Sequence, residues 1–154
     1  MTGWAPTWRG RVEPDWLDEL GHVSFLVYQR IADKGAGAFW ADMWGGRGPS
    51  GRDGVEYIIV ETHVRYLSEL RLGDPVTIDT ALLAWDDKRY QLLHRIRSGE
   101  RLACLVETVN MAFDLGTRRT MTFPAEVRAA LAARGPKPDD ARAELPLKRS
   151  RNET

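Results

Sequence analysis

The chain has 154 residues, 43% of them hydrophobic and 29% charged, which is the composition of one soluble globular domain. Its 22 Lys and Arg balance 22 Asp and Glu, and a net charge of zero argues against a nucleic-acid partner. No apolar run approaches the roughly 20 residues of a membrane span, the start MTGWAPTWRGRVEP lacks the apolar core of a signal peptide, and one cysteine, Cys104, allows neither an intrachain disulfide nor a cysteine metal site; the cytoplasm is the expected location.

Trp8 to Val12 is predicted as a short strand ended by Pro14. A helix is predicted to begin near His22 or Val23 and to run to about Met43. Val27, Ile31, Gly35 and Ala38 recur three or four apart and form one apolar stripe. Gly35 and Gly37 are costly in an exposed helix and make sense where a sheet packs very close. The segment WGGRGPSGRDG, Trp44 to Gly54, reads as a glycine-rich loop.

Four strand-like segments follow. In Val55 to Leu67, Ile58, Val60, Val64 and Tyr66 are expected on one face and Glu61, His63 and Arg65 on the other. After Asp74-Pro75, the alternating residues are Val76, Ile78, Leu82 and Ala84. Next come Tyr90, Leu92, His94 and Ile96, then Ala103, Leu105, Val109, Met111 and Phe113. Period-2 alternation implies a sheet with one buried face. Asp86-Asp87-Lys88 supplies a three-residue turn, and Gly99-Glu100 a two-residue loop with Gly first. That register puts Glu107 diagonal to His94 as a candidate partner. Pro124 to Arg134 reads as a short helix with Phe123, Val127 and Leu131 on one side. Residues 1–134 are expected to form the domain, and 135–154 a poorly ordered tail. The architecture is an α+β fold: one long apolar helix wrapped by an antiparallel sheet of about five strands, whose edges favour a homo-oligomer.

The chemistry centres on PDWLDELGHVSFLVY, Pro14 to Tyr28. Asp18 stands before Gly21-His22 and an apolar helix. An acid at that place could serve only to offset the helix dipole. Gly21, however, lets backbone approach a ligand closely, and free N–H groups at a helix start can receive a carbonyl oxygen. A carboxylate beside an oxyanion site is a minimal hydrolase. Asp15 and Glu19 read as solvated, and Asp33 and Asp42 as polar-face residues or caps of the helix.

The run Asp18-Glu-Leu-Gly21-His22-Val23, with Tyr28 seven residues after the glycine, resembles hotdog-fold acyl-CoA thioesterases of the 4-hydroxybenzoyl-CoA thioesterase type, and the likeness covers about Trp8 to Leu131. A more specific likeness is to the betainyl-CoA thioesterases of carnitine catabolism. It rests on Glu13-Pro-Asp-Trp-Leu-Asp18, Val60-Glu-Thr-His63, Arg65-Tyr-Leu, Asp87-Lys-Arg89 and Phe123-Pro. Where that branch has Asn-Gly-His-Met-Asn, this chain has Leu20-Gly-His-Val-Ser24.

The resemblance implies roles. Asp18 would attack the thioester carbonyl or act as general base on water. The Phe25 N–H would polarise the carbonyl, His22 would orient substrate or shape the turn, and Tyr28 would line the pocket. No metal and no cofactor are implied; the partners are an acyl-CoA substrate and further copies of the chain, with the site between subunits of a homodimer or homotetramer. His63 keeps a pocket role through the Val-Glu-Thr-His match. The six tryptophans suggest a cage for a quaternary ammonium group, held through cation–π attraction, with Trp16, Trp40 and Trp44 as its members. The alternatives are the same chemistry on an aromatic or short-chain acyl-CoA, or a non-catalytic module that binds acyl-CoA.

Overall fold

The computed structural model describes residues 3–44 and 52–147. The chain forms β1 (Ala5–Arg11), a 3-10 turn (Pro14–Trp16), α1 (Phe25–Trp44), a second 3-10 turn (Arg52–Gly54), β2 (Val55–Tyr66), β3 (Pro75–Trp85), β4 (Arg89–Ser98), β5 (Arg101–Asp114), the short β6 (Arg119–Thr120) and α2 (Ala125–Ala133). The strands pair antiparallel in the order β1-β3-β4-β5-β2, with β6 added to β5. α1 lies in the concave face of this sheet, and the two form a hotdog fold. The body of the glycine-rich loop, residues 45–51, lies outside the described residues.

α1 is held by its apolar stripe. Val27, Tyr28, Ile31 and Ala32 join Val76, Ile78 and Ile96 in one core cluster. Phe39 and Trp40 join Leu92, Phe123, Val127 and Leu131 in a second, which fastens α2. Asp42 reaches Arg134 at 3.6 Å and ties the two helices. The helix starts at Phe25, later than expected, because Leu17 bridges Val23 and the intervening residues turn back on themselves.

Gly35 marks the closest approach of helix and sheet. A Cβ there would stand 3.1 Å from Thr7 Oγ1, 3.2 Å from Ile78 Cγ2 and 3.3 Å from His94 Nδ1. Gly37 is different: it is exposed, and a Cβ would meet nothing within 4 Å. Opposite results follow for the two positions. Gly35→Leu should destabilise the fold by at least about 1–3 kcal/mol through overpacking. Gly37→Ala should stabilise it by about 1 kcal/mol through helix propensity. Thermal unfolding of the two variants should therefore move in opposite directions; equal shifts would remove the close-packing account.

The faces depart from simple alternation because four strands carry bulges. The β2–β5 register slips between Ile59 and Glu61, leaving Val60 unmatched. Val64 then packs toward the core while Ile58 lies on the other side, so the two do not share a face as expected. The two-residue Gly99-Glu100 loop forms, but a slip after Ile96 leaves Ala103 unmatched. The helix-facing residues of β5 are accordingly the even ones, including Cys104 and Val106, and not Leu105, Val109 and Met111. Similar slips occur at Thr7 and Leu83. Cys104 is fully buried, and burial pushes its thiol up to about 12.

The bulge at Ala103 also decides what His94 meets. His94 stands opposite Val106, and its Nδ1 lies 2.8 Å from Thr80 Oγ1. Glu107 faces the outer side of the sheet, where its carboxylate accepts from the Gln91 side chain and from the backbone N–H of Glu144 and of Leu145, each at 2.8 Å. The segment after Gly135, expected to be loose, is thus held as far as Leu145 against the outer face. Ala141 is buried there with Ala81, Leu83 and Leu93. Strand residues that alternate on only one side of the sheet gain a second covered face from this segment.

Candidate active site

The loop before α1 is built from a buried anchor and a tight turn. Trp16 is 5% exposed and packs on Trp8 with ring centroids 6.0 Å apart. The Asp18 N–H donates to the His22 carbonyl at 2.7 Å, and the Gly21 N–H to the Asp18 carbonyl at 3.0 Å. Gly21 has φ +76°, the left-handed conformation that reverses the chain and that glycine adopts without steric cost. Asp18 Oδ1 accepts from the N–H of Leu20 at 2.9 Å and of His22 at 3.1 Å. Oδ2 makes no hydrogen bond among the described residues and is open to solvent. Asp18 therefore folds its own turn and still presents one carboxylate oxygen.

Ser24 begins the helix. Its N–H donates to the Trp16 carbonyl at 2.9 Å, and its carbonyl accepts from the Val27 N–H at 2.9 Å. The N–H groups of Phe25 and Leu26 have no partner among the described residues, which is the expected state of a helix start. They carry the positive end of the helix dipole. Both side chains are uncovered, at 61% and 59%, and Leu20 nearby is 82% exposed.

An open groove of about 310 Å³ runs past this helix start, lined by His22, Phe25, Tyr28, Tyr66, Ser68 and Glu69. Tyr66 Oη donates to the Phe25 carbonyl at 3.0 Å. Tyr28 and Tyr66 meet edge to face at 5.4 Å. Tyr28 Oη accepts from the Leu70 backbone, and burial still raises its hydroxyl above the usual tyrosine value. His22 Nδ1 is 3.6 Å from Glu69 Oε1. Glu69 in turn is 3.7 Å from Arg71, and Arg89 is committed to Asp86. Tyr66, Ser68 and Glu69 were not singled out from the sequence, because nothing local ties the end of β2 to a turn more than 40 residues earlier.

His22, Phe25 and Tyr28 line one groove, Asp18 is joined to His22 through the turn, and the other predicted site residues lie elsewhere. Trp16 is a core residue beneath the turn and presents no open ring face. Trp40 is 5% exposed and packs against Tyr57 at 6.0 Å and Tyr90 at 5.0 Å. It lies about 22 Å along α1 from Phe25, at 1.5 Å per residue. The side chain of Trp44 lies outside the described residues. His63 points to the outer face of the sheet, where it lines a cavity with Arg65 and Glu107. Within one subunit Trp16, Trp40 and His63 form no cage around Asp18, because the helix stripe and the strand pleat bury or redirect them. Among the described residues, no three metal-ligating side chains converge, and no helix is long and apolar enough to cross a membrane.

Residues 12–131 match the model of the thioesterase-like superfamily. A betainyl-CoA thioesterase of Pseudomonas aeruginosa is 30% identical over 132 residues, which are 82% of this chain and 81% of that protein. An L-carnitine dehydrogenase/betainyl-CoA thioesterase of Agrobacterium fabrum is 31% identical over 137 residues, or 84% of this chain and 28% of that protein. The chain thus spans about a quarter of the length of the two-activity relatives it matches. Among solved structures, a Staphylococcus aureus protein in complex with CoA superposes with a TM-score of 0.80 at 23% identity, covering 94% of this chain and 92% of that one.

Proposed function

We infer the function from one premise: the chain belongs to the thioesterase-like superfamily. We propose that it hydrolyses acyl-CoA thioesters, and that its substrate is betainyl-CoA. What supports the reaction is the Asp18 carboxylate, held through Oδ1 with Oδ2 free, in the turn that leads through His22 and Ser24 to the unpartnered N–H groups of Phe25 and Leu26. The carbonyl oxygen of the thioester would sit on those N–H groups, which stabilise the charge that develops there. Asp18 then either attacks the carbonyl carbon, expelling the coenzyme A thiolate and leaving a mixed anhydride for water to open, or takes a proton from the water that attacks. Mass spectrometry of the quenched enzyme separates the routes, since only the first leaves an acyl group on Asp18. His22 would hold the turn, and Tyr28 and Tyr66 would wall the acyl or pantetheine path. A coenzyme A ester as substrate places the reaction in the cytoplasm.

The uncovered Leu20, Phe25, Leu26 and Tyr66, together with Ile59 and Val60 on the edge strand β2, support a homo-oligomer with the groove between subunits. Light scattering of the purified chain should give at least twice the 17.4 kDa subunit mass. A monomer would leave the groove open on one side and remove this reading.

The betaine assignment rests on the relatives' names and on the matched segments. The burial of Trp16 and Trp40 favours a second reading, the same hydrolysis on a neutral aromatic or short-chain acyl group, because neither ring is free to meet a cationic acyl group. Coenzyme A release from betainyl-CoA beside 3,3-dimethylbutyryl-CoA, its neutral near-isostere, decides between them. A preference for betainyl-CoA of about tenfold or more is expected, the size of one to two cation–π or charge contacts. Equal rates would move the assignment to neutral acyl groups, and no release from any acyl-CoA would leave a binding module.

A further inference from the structure

The outer face of the sheet carries a cavity of about 340 Å³, roofed by the segment around Asp140 to Glu144. The sheet itself separates this cavity from α1 and from the groove at the start of that helix. Four arginines line it, Arg65, Arg95, Arg97 and Arg142, against three acids, Glu107, Asp140 and Glu144. Each acid is already engaged. Glu107 holds Gln91 and the two backbone N–H groups of the roof. Asp140 accepts from Trp4 Nε1 at 2.9 Å and from Arg95 at 3.3 Å. Glu144 lies 3.7 Å from Arg65. Arg95 is further fixed by Asp79 at 3.2 Å and by the Trp4 ring, 3.9 Å from its guanidinium carbon.

Arg97 and Arg142 are left over. Neither makes a hydrogen bond or an ion pair among the described residues, and the Arg97 Nε is buried with no acceptor. Leaving a donor buried without a partner is unfavourable, the more so when the group is charged. Arg97, whose charge also acts on Asp140, is left with no acceptor at its buried Nε, and Arg142 stands exposed on the roof with no carboxylate paired to it. Guanidinium forks match carboxylates bidentately. Beside these, Leu93, Leu102 and Leu105 give the cavity an apolar wall, completed by Trp4 and His63. At a share of about 30 Å³ per water-sized group, the space suits an organic molecule of about ten non-hydrogen atoms. With three carboxylates on the lining, a doubly charged phosphate would meet twice the repulsion that a carboxylate meets.

We propose that this cavity binds a small organic carboxylate with an apolar body, its carboxylate held by Arg97 and Arg142 and its body lying on Leu93, Leu102 and Leu105. His63, which lines the same cavity, belongs to this site and not to the groove at Asp18. The ligand would bridge the sheet and the roof segment and so fasten the roof further. The site stands apart from the thioester chemistry and does not depend on it.

Isothermal titration of the full chain with benzoate, beside neutral benzamide, tests the site. Benzoate should bind once per chain, and benzamide should not. Arg97→Gln should weaken benzoate by about tenfold or more, the loss of one charge-assisted contact. If Arg97→Gln does not fold, Arg142→Gln, exposed on the roof, should show the same loss. Absence of benzoate binding, equal binding of benzamide, or unchanged affinity in a folded arginine variant would each overturn the proposal.

Discussion

Asp18→Asn should lower turnover of the preferred acyl-CoA by about 10²–10⁴-fold and leave the thermal midpoint where it is. The asparagine keeps Oδ1 as an acceptor for the Leu20 and His22 N–H groups, so the turn that sets the helix start survives. What it loses is the negative charge on the free oxygen, and a neutral amide neither attacks a thioester nor takes a proton from water. Asp18→Ala removes both functions, so it should lose activity and also stability, by roughly the 0.5–2 kcal/mol of a lost local cap. The pair of variants divides the chemical role from the structural one. Should Asp18→Asn retain wild-type turnover, Asp18 would be a turn former only, and the carboxylate of the reaction would have to come from elsewhere.

Acid should weaken the fold through His94. This side chain is fully buried under Gly35, and desolvation lowers its pKa from 6.5 to about 4. The Thr7 hydroxyl donates to the Ile78 carbonyl, which leaves Thr80 to donate to Thr7 and places the His94 proton on Nδ1, donating to Thr80. Nδ1 of the neutral ring is thereby satisfied, and an added proton would bring a buried charge with no ion pair: Asp33 lines a small pocket with His94 but makes no contact with it. The folded pKa lies below the unfolded one, so the folded state binds fewer protons. The stabilisation is complete above pH 6.5, falls as the pH drops toward 4, and is gone below that. Its size is about 3 kcal/mol, from roughly 1.4 kcal/mol per pKa unit. Urea unfolding at pH 7 and pH 4.5 should show a larger loss for the wild type than for His94→Gln, with most of that amount as the difference. Equal losses would assign the acid sensitivity to carboxylates alone.

How far the site could be read from the sequence varies by residue. Asp18, Gly21, His22 and Phe25 lie within eight positions, so their geometry is a property of one turn and one helix start, and local chemistry is enough to propose it. Tyr66 reaches the same helix start through the Phe25 carbonyl across 41 positions, and no periodicity encodes that meeting. The tryptophans show the reverse case. Grouped along the chain near the motif, they suggested a cage, yet Trp16 went into the core with Trp8, and Trp40 into the aromatic cluster at the far end of α1.

By itself the sequence determined the elements and their order: α1 from its apolar stripe, the strands from period-2 alternation, the turns at Asp86–Lys88 and Gly99–Glu100, and α2 from Phe123, Val127 and Leu131. These are set within a few residues by propensity, spacing and turn chemistry. Only the tertiary structure decided which side each strand residue faces, that His94 meets Thr80 while Glu107 holds the segment at Glu144, and that this segment closes a cavity. The physical reason is the bulge. Leaving Val60 or Ala103 unmatched disturbs the ladder at one position, but it turns every later side chain to the opposite face. Whether that slip is favoured depends on how the whole sheet packs against α1 on one side and the residues after Gly135 on the other.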